Sequence, residues 1–407
     1  MQNKNYILPA EWHRQSCVQL TWPHEDTDWL PYLDDITETF VQIAKAVAHY
    51  EPLVIAAKHP DAVRAELEES LSDEEMENVR IYECDNNDTW ARDHAFITLI
   101  PTAEGSGIHI EGVAGSAAPT EQEAGGDGIH IGGAAVSAAP TEQTVRDYGK
   151  NAVASCRLLD FRFNGWGEKF AADKDNLINR TLHARGVFAG ERVDYDDFVL
   201  EGGSIESDGR GTVLTTSVCL MAPNRNQPLS QAEVEQVLKE RLCARKIVWF
   251  DHGQLIGDDT DGHIDTLVRC APHHTLLYVS CDNTTDPQYA ELHAMEEDLH
   301  ALNSTIDTPY RLLRLPMPDA LLDEDGCRMP ATYANFLVIN GAVIVPTYGQ
   351  PQHDQEALRT VAEAFPDREI IGVDAQAVIR QHGSLHCLSM QLPKGVGNSV
   401  ATAEEEV

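Results

Sequence analysis

The sequence predicts an α/β protein with mixed sheets, built from similar units. Pairs of short strands joined by tight turns are each followed by a helix and another strand, and this order recurs about five times along the 407 residues. Single strands do not alternate strictly with helices, as they do around a purely parallel sheet, and the helical segments exclude an all-β fold. The hydrophobic content of 42% is sufficient for a full core in a chain of this length.

The individual elements follow from apolar periodicity and from turn and capping residues. Strands are predicted at residues 17–23, 53–57, 79–83, 96–100, 212–220, 246–251, 275–280, 312–315 and 369–373. Helices are predicted at residues 31–47, 60–71, 287–302 and 354–365, with another that passes through Ile178 and Leu182 and ends at Gly186. Asn340 and Gly341 predict a hairpin over residues 336–346, and Ser230 with Glu233 predicts a capping box.

An internal duplication interrupts this pattern. The four residues that begin at Gly107 recur from Gly128, inside a Gly-, Ala-, Ser- and Thr-rich insert at residues 104–145. Such a segment is too polar to bury a core, so we expect a mobile surface insert or a small appended hairpin. We therefore expect one catalytic domain over residues 1–395, interrupted by this insert, and a disordered acidic tail over residues 396–407.

The charge is strongly acidic. With 30 Lys and Arg against 66 Asp and Glu, the formal net charge is -36, which disfavours nucleic acid and anionic membranes as partners and attracts small cations. The nine cysteines are scattered, without a C-x-x-C pair, so neither a disulfide framework nor a structural zinc site is predicted. The first residues contain no apolar signal region, and no apolar run reaches eighteen residues. These features predict a reduced, cytoplasmic protein.

Several side chains are candidates for a functional site, because they stand at predicted strand ends or in adjoining loops, where separate segments can converge on one cavity. The candidate catalytic residues are Cys387, His263, Glu201, Asp93 and Asp265, and the candidate substrate-binding residues are Trp90, Asp93, Asp265 and Trp22. Cys387 follows a glycine inside an alternating, strand-like run. His263 and Asp265 are two residues apart and would face the same side of a strand.

These residue types suit attack on a guanidinium group. Paired carboxylates such as Asp93 and Asp265 are natural receptors for its planar fork of N–H donors. A thiolate at Cys387 could attack the central carbon, while His263 donates a proton to departing ammonia and later accepts one from water. Glu201 could hold the imidazole in position, as the third member of a triad does. The product would be a ureido group.

Each candidate also has an ordinary structural explanation. A buried cysteine is usually inert, a tryptophan usually packs, and an aspartate at a strand end usually closes a turn. A metal-dependent hydrolase is a further alternative, because His263 stands near other potential ligands. These are Asp258, Asp259, Asp261, His252, His382 and His386. Against this alternative, the sequence contains no H-x-H or H-E-x-x-H element.

Five motifs occur in order along nearly the whole chain outside the insert and tail. They are Trp90-Ala-Arg-Asp93, Asp160-Phe-Arg-Phe-Asn-Gly-Trp166, Leu200-Glu-Gly-Gly203, Asp261-Gly-His-Ile-Asp265 and His386-Cys387. Together they resemble the agmatine deiminase family, grouped with the Porphyromonas-type peptidylarginine deiminases in the guanidino-group-modifying superfamily. The resemblance implies a five-bladed, pseudosymmetric α/β propeller of ββαβ units around a central active site. It also implies hydrolysis of agmatine to N-carbamoylputrescine and ammonia, in putrescine biosynthesis, without a metal or other cofactor.

By the same resemblance, Cys387 is the amidino-cysteine nucleophile and His263 the general acid and base. Asp93 and Asp265 grip the guanidinium, and Glu201 supports His263 and the reacting group. Trp90 lines the pocket and Trp22 closes it. The resemblance is also compatible with a homo-oligomer.

The sequence departs from the family at residues 381–387, where Gln-His-Gly-Ser-Leu-His-Cys replaces the frequent Gly-Gly-Gly-Asn-Ile-His-Cys. The substrate therefore stays open among agmatine, free arginine and peptidylarginine. Free arginine calls for a cationic partner for its carboxylate, whereas the distal ammonium of agmatine calls for an acidic or aromatic one. A catalytically silent polyamine-binding protein is the alternative of a different class.

Overall fold

The computed structural model describes residues 5–102 and 155–396, and it confirms an α/β fold with mixed sheets. The duplicated insert at residues 104–145 and the tail beyond Val396 lie outside the described residues. The strands are β1 (Tyr6–Ile7), β2 (Gln15–Thr21), β3 (Leu53–Ala57), β4 (Val79–Glu83), β5 (Ile97–Pro101), β6 (Arg157–Arg162), β7 (Glu191–Val199), β8 (Ile205–Ser207), β9 (Thr212–Thr216), β10 (Lys246–Phe250), β11 (Val268–Ala271), β12 (Thr275–Val279), β13 (Arg311–Leu315), β14 (Leu337–Ile339), β15 (Ala342–Thr347), β16 (Glu369–Asp374) and β17 (Ser389–Pro393).

Helices and short helical turns connect these strands. The helices are Leu33–Tyr50, Pro60–Ser70, Asp73–Glu77, Ala91–His94, Gly165–Glu168, Asp175–Ala184, Ser217–Leu220, Gln231–Arg241, Tyr289–Thr305 and Pro351–Ala364. Turns of 3-10 helix occur at Leu30–Tyr32, Gly202–Ser204, Ile264–Thr266 and Val378–Gln381. The capping box predicted at Ser230 and Glu233 begins the helix Gln231–Arg241, which confirms that prediction.

The described strands form five sheets, each with at least one antiparallel and one parallel pair. Their orders are β1-β5-β6-β7, β10-β9-β8, β11-β12-β13, β14-β15-β16 and β17-β2-β3-β4. In the fourth sheet the turn at Asn340 and Gly341 joins β14 to β15, the helix Pro351–Ala364 follows, and β16 returns parallel to β15. Gly341 adopts a φ of 83°, the left-handed conformation that such a hairpin turn requires. In this sheet the predicted order of two paired strands, a helix and a further strand is present.

The sheets and helices bury their apolar faces against one another. Helix Leu33–Tyr50 contributes Ile36, Phe40, Ile43 and Val47, the residues whose spacing predicted it, and all four are fully buried. Strand β3 is buried along its whole length. Burial of a side chain of this size stabilises the fold by about 1.5–3 kcal/mol, so the sheets can serve as rigid supports for the loops at their ends.

The local conformations of two candidate segments differ from the sequence prediction. His263 and Asp265 do not lie on a strand: the backbone N–H and the hydroxyl of Thr266 both bond to the His263 carbonyl and close a 3-10 turn around Asp265. Cys387 precedes its predicted strand, since β17 begins only at Ser389. Its backbone N–H donates to the side chain of Asn335, so it is not available to a neighbouring strand.

One buried carboxyl ties the loop before Trp90 to a neighbouring helix. Asp175 Oδ1 accepts the backbone N–H groups of Asn87, at 2.7 Å, and Asp88, at 3.4 Å. Burial raises the pKa of Asp175 to about 8, although these hydrogen bonds oppose the shift. The carboxyl is therefore mostly protonated at neutral pH in the folded protein.

We expect this group to make stability depend on pH. Because its pKa is raised on folding, the folded state binds more protons than the unfolded state between pH about 4 and about 8. Its contribution to the free energy of unfolding is complete below that range and is lost as pH rises through it. Asp175→Asn keeps the accepting oxygen but cannot ionise, so in urea unfolding its stability relative to wild type should be greater at pH 8 than at pH 5. An equal difference at both pH values would contradict this assignment.

Candidate active site

Three candidate side chains surround a single glycine. A Cβ atom placed on Gly203 would lie 2.6 Å from His263 Nδ1, 3.0 Å from Asp93 Oδ1 and 3.1 Å from Asp265 Oδ2. Gly203 belongs to the turn Gly202–Ser204, which directly follows Glu201. The absence of a side chain at this position therefore allows an imidazole and two carboxylates from separate segments to approach one another.

Cys387 lies beside this group. Its Sγ is 4.0 Å from Asp265 Oδ2 and 3.3 Å from Asn335 Oδ1, and the residue is 3% exposed. Asn335 Oδ1 also accepts the backbone N–H groups of His386 and Cys387, while Arg92 donates its backbone N–H to the Cys387 carbonyl. Burial, followed by the charges of Asp265 and Asp93, raises the pKa of the thiol well above its usual value. In the absence of a bound cationic ligand, the cysteine is thus a neutral thiol.

The two aspartates have different environments. Asp93 Oδ1 accepts the Gly203 N–H at 3.0 Å, and its Oδ2 accepts the Trp166 indole N–H at 3.0 Å. Burial raises its pKa, although His263 opposes the shift. Asp265 Oδ2 lies 2.7 Å from His386 Nδ1, whereas its Oδ1 is buried and has no hydrogen-bond partner among the described residues. Burial alone would raise the pKa of Asp265, but the bond to His386 and the positive charges around it hold that pKa below its usual value.

His263 is fully buried, and its Nδ1 lies 3.7 Å from Asp93 Oδ1. Burial would lower its pKa, but the charge of Asp93, followed by Cys219 and Glu201, raises the pKa well above the usual value. The thiol of Cys219 is the hydrogen-bonding neighbour of this imidazole. The structure therefore presents a protonated imidazole next to the carboxylates, in a position to give up a proton.

Glu201 is near His263 but does not hydrogen bond to it. Its Oε1 accepts a charged hydrogen bond of 2.6 Å from Arg225 Nε, while its buried Oε2 has no partner among the described residues. Arg225 in turn pairs with Asp261 at 2.9 Å. The expected direct support of the imidazole by Glu201 is thus not formed in this structure, and Arg225, which no motif indicated, holds the carboxylate instead.

A buried network supports the aspartate pair. His386 Nε2 lies 2.9 Å from Glu11 Oε2, so the imidazole bridges Glu11 and Asp265. Arg269 forms ion pairs with Glu11 and with Glu206. Sequence reasoning missed Glu11, Arg269 and Asn335, because nothing in their neighbourhoods forms a motif; His386 was considered only as part of a motif and as a metal ligand.

A cavity of about 290 Å³ leads to the cysteine. Its walls are aromatic and acidic, and its lining includes Trp90, Asp93, Trp166, Phe170, Cys387, Asp28, Asp88, Asp259, Tyr32 and Arg380. Trp90 packs against Trp29 and meets the edge of Trp166, with ring centroids 5.7 Å and 6.4 Å away. This volume is near the lower end of the range for small-molecule sites. The expectation that Trp90 would line the pocket agrees with its position.

Trp22 lies elsewhere. Its ring packs edge-on against Phe40 at 5.2 Å, and it lines a different surface groove together with His24 and Glu66. Trp22 does not line the cavity at Cys387 in this structure, and its closing of the substrate pocket stays a prediction. Its position at the end of β2 places it beside helix Leu33–Tyr50, so the apolar ring contributes to the core instead.

The proposed metal ligands are not gathered around His263. His252 Nδ1 lies 2.9 Å from Asp298, His382 Nδ1 lies 2.7 Å from the Gly257 carbonyl, and His386 is held between two carboxylates. In the described part of the chain, one group of three potential ligands does come together: Glu201, Cys219 and His263 offer donor atoms within 4.8 Å of one another. Within the same residues, no helix is long and apolar enough to cross a membrane.

Comparison with known proteins gives a consistent result. Agmatine deiminase from Stutzerimonas stutzeri is 28% identical over 412 residues, which cover 95% of this chain and 95% of that protein. Among solved structures, a cysteine-to-serine variant of agmatine deiminase from C. jejuni with substrate bound is 31% identical, with a TM-score of 0.76, and the match covers 96% of this chain and 97% of that one. A Porphyromonas gingivalis protein provisionally named an arginine deiminase is 41% identical, with a TM-score of 0.79, covering 97% of this chain and 100% of that one.

The model of one protein family matches almost the full length of the chain. That family is described as Porphyromonas-type peptidyl-arginine deiminase, and the match extends over residues 7–393. The match includes all five motifs that carried the resemblance in the sequence. The chain therefore belongs to the Porphyromonas-type peptidyl-arginine deiminase family.

Proposed function

We propose that the protein is an agmatine deiminase, a hydrolase that converts agmatine and water to N-carbamoylputrescine and ammonia. The observation that carries the proposal is the convergence of Asp93, His263 and Asp265 around Gly203, with the Cys387 sulfur 4.0 Å from Asp265. Agmatine deiminases from several bacteria match the chain over nearly its whole length, which supports the same conclusion. A polyamine binder without catalysis would not need a thiol, an imidazole and two carboxylates in contact.

The guanidinium binds between the two aspartates in this proposal. Asp265 has an unbonded oxygen available for an N–H donor, and Asp93 has an elevated pKa that a cation would lower. The bound cation also offsets the two negative charges that raise the pKa of Cys387. Substrate binding therefore favours the thiolate, so the nucleophile is formed where its target is already positioned.

The first half of the reaction is a displacement. The Cys387 thiolate forms a C–S bond to the guanidinium carbon and gives a tetrahedral intermediate. His263, protonated because its pKa is raised, transfers its proton to the departing nitrogen, and the C–N bond breaks to release ammonia. An amidino-cysteine remains on the enzyme.

The second half is hydrolysis. His263, now neutral, accepts a proton from water, and the resulting hydroxide attacks the same carbon. The C–S bond breaks, the cysteine leaves as thiolate, and the hydroxyl proton is released to solvent as the carbon–oxygen bond becomes the carbonyl of the ureido product. Glu201, held by Arg225, contributes negative charge near His263 that favours the protonated imidazole at the end of each cycle.

The residues that line the cavity also favour a particular charge at the far end of the substrate. Asp28, Asp88 and Asp259 line it, and burial raises the pKa of both Asp88 and Asp259 to about 6. A distal ammonium would compensate these carboxylates, which favours agmatine. Free arginine is the second candidate, because Arg380 also lines the cavity and the Porphyromonas gingivalis relative is named for arginine. Arg380 is already paired with Asp35 at 3.0 Å, which leaves it less available to a carboxylate.

The proposal extends to the architecture and setting of the enzyme. Five sheets that share one pattern of pairing support a five-bladed propeller with the site at its centre, formed by one catalytic domain over residues 1–395. The duplicated insert is peripheral in this proposal. We also propose that the enzyme is cytoplasmic and forms a homo-oligomer.

Purified protein supplied separately with agmatine, arginine and a peptidylarginine tests the substrate assignment. We expect ammonia and a ureido product in equal amounts from agmatine. We also expect kcat/KM for agmatine to be at least about tenfold above that for arginine, because the uncompensated carboxylate of arginine in the cavity costs more than about 1.4 kcal/mol. A higher kcat/KM with arginine or the peptide would replace agmatine by that substrate. No turnover of any of the three would contradict the enzymatic proposal.

The covalent mechanism predicts that Cys387→Ser reduces kcat at least about 1000-fold, because a serine hydroxyl has no comparable access to its anion. Binding of agmatine, measured calorimetrically, should persist. The exposed Cys327 provides a matched control, and Cys327→Ser should retain full activity. Substantial turnover by the Cys387→Ser protein would exclude the proposed nucleophile.

Gly203→Ala tests the geometry directly. The added methyl group would lie within 3.1 Å of all three side chains, so it should displace them and reduce kcat about 100-fold or more. Gly372→Ala is the matched control, since Gly372 is exposed on β16 and the atoms nearest to its added Cβ would be side-chain carbons of Thr347 and Leu358, at 3.1 Å or more. Equal activity of the two variants would show that Gly203 is not at the reacting centre.

A further inference from the structure

The group formed by Glu201, Cys219 and His263 is not explained by the proposed reaction. Glu201 and His263 have roles in that reaction, but Cys219 has none, although its sulfur lies within 4.8 Å of donor atoms on both residues. All three side chains are fully buried. A second thiol in contact with the acid–base residue therefore needs a separate account.

The position of Cys219 is fixed by its own turn. It lies in the helix Ser217–Leu220, where its backbone N–H donates to Thr216 Oγ1 at 3.2 Å. The same hydroxyl donates to the carbonyl of Gly262, the residue before His263, at 2.6 Å. The turn that carries the sulfur is thus tied directly to the segment that carries the imidazole.

The donor atoms in this group can bind a ligand. Glu201 Oε2 is buried without a hydrogen-bond partner among the described residues, and the His263 imidazole has the Cys219 thiol as its hydrogen-bonding neighbour, an interaction that a shared metal ion would replace. Buried polar atoms without partners are costly, so a ligand that satisfies them is favoured. One sulfur, one imidazole nitrogen and one carboxylate oxygen form a donor set that suits Zn²⁺ and does not suit Mg²⁺ or Ca²⁺.

The local charge also accepts a cation. The positive charge of Arg225 is already paired with both Glu201 and Asp261, and His263 gives up its proton when its nitrogen binds a metal ion. Asp93, whose Oδ1 is 3.7 Å from His263 Nδ1, adds a further carboxylate and lines the substrate cavity. Asp93 is therefore a neighbour both of this group and of the substrate cavity.

We propose that Glu201, Cys219 and His263 form an inhibitory site for Zn²⁺. Ligand atoms around tetrahedral zinc stand roughly 3.5 Å apart, so an inward movement of about 1 Å would complete the coordination. The ion would occupy the nitrogen or the ring orientation that His263 needs for proton transfer. Inhibition, as distinct from binding, rests on the proposed role of His263 in deimination.

This site makes zinc an inhibitor and not a cofactor. EDTA should leave the activity of zinc-free enzyme unchanged, whereas it should restore activity to enzyme inhibited by Zn²⁺. Mg²⁺ at the same concentration should have no effect. A loss of activity in EDTA that Zn²⁺ restores would overturn the proposal in favour of a catalytic metal.

Binding can be measured without turnover, with Co²⁺ as a spectroscopic substitute for zinc. The double variant Cys327→Ser and Cys387→Ser lacks the exposed thiol and the proposed nucleophile, so a sulfur-to-Co²⁺ charge-transfer band in this protein must arise from another cysteine. We expect the band to be present, to be displaced by Zn²⁺, and to weaken when agmatine is added. Absence of this band would contradict the proposed zinc site, whether or not the enzyme deiminates agmatine.

The ligand itself is tested by adding Cys219→Ser to the same double variant. We expect the band to disappear and the affinity for Zn²⁺, measured calorimetrically, to fall at least about tenfold, since loss of a ligand costs no less than loss of a supporting residue. Circular dichroism shows whether the triple variant is folded, and Cys219→Ala provides a second substitution at the position. Unchanged zinc affinity in a folded Cys219 variant would exclude this cysteine as a ligand.

Discussion

The structure depends on the compensation of buried carboxylates. Asp265 is fully buried next to the thiol, and it remains ionised because His386 bonds to it on one side and to Glu11 on the other. Arg269 completes the network by pairing with Glu11 and Glu206. Asp93 is compensated less fully, by two neutral N–H donors and by the imidazole of His263 at 3.7 Å, and burial raises its pKa. The protein thus stabilises the charge of Asp265 more strongly than that of Asp93, which an incoming cation would stabilise further.

This difference gives the site its selectivity for charge. A neutral ligand would leave Asp93 and Cys387 with raised pKa values, and the nucleophile would stay protonated. A guanidinium compensates the aspartates and favours the thiolate in one binding event. The acidic residues that line the cavity also attract cations, so that a cationic ligand is favoured both at the entrance and at the aspartate pair.

Features that depend on residues adjacent in the sequence could be predicted from the sequence alone. The hairpin turn at Asn340 and Gly341, the capping box at Ser230, and strands β3 and β4 were all predicted, because short-range turn chemistry and apolar periodicity determine them. The convergence of Cys387, His263 and the carboxylates was also anticipated from their motifs.

Contacts between segments that are far apart in the sequence could not be predicted from it. Asn335, which binds the Cys387 backbone and sulfur, and Arg225, which binds Glu201, stand in no recognisable pattern. The 3-10 turn at His263 was missed because alternation within three residues cannot distinguish a strand from a tight turn. The contact of Trp22 with Phe40 was not predictable for a related reason: a tryptophan at a strand end can face a pocket or a helix, and only packing decides which.

The contact between His386 and Glu11 joins residues separated by 375 positions, and β17 pairs with β2 in the same region. During translation, the segment that carries the thiol is therefore made long after the segment that holds its neighbour in place. A nascent or truncated chain that ends before residue 386 has the aspartates and His263 but neither the sulfur nor the bridge that keeps Asp265 charged. In the proposed mechanism, catalytic competence therefore arises late in synthesis, when the β17 segment docks, and incomplete chains are inactive.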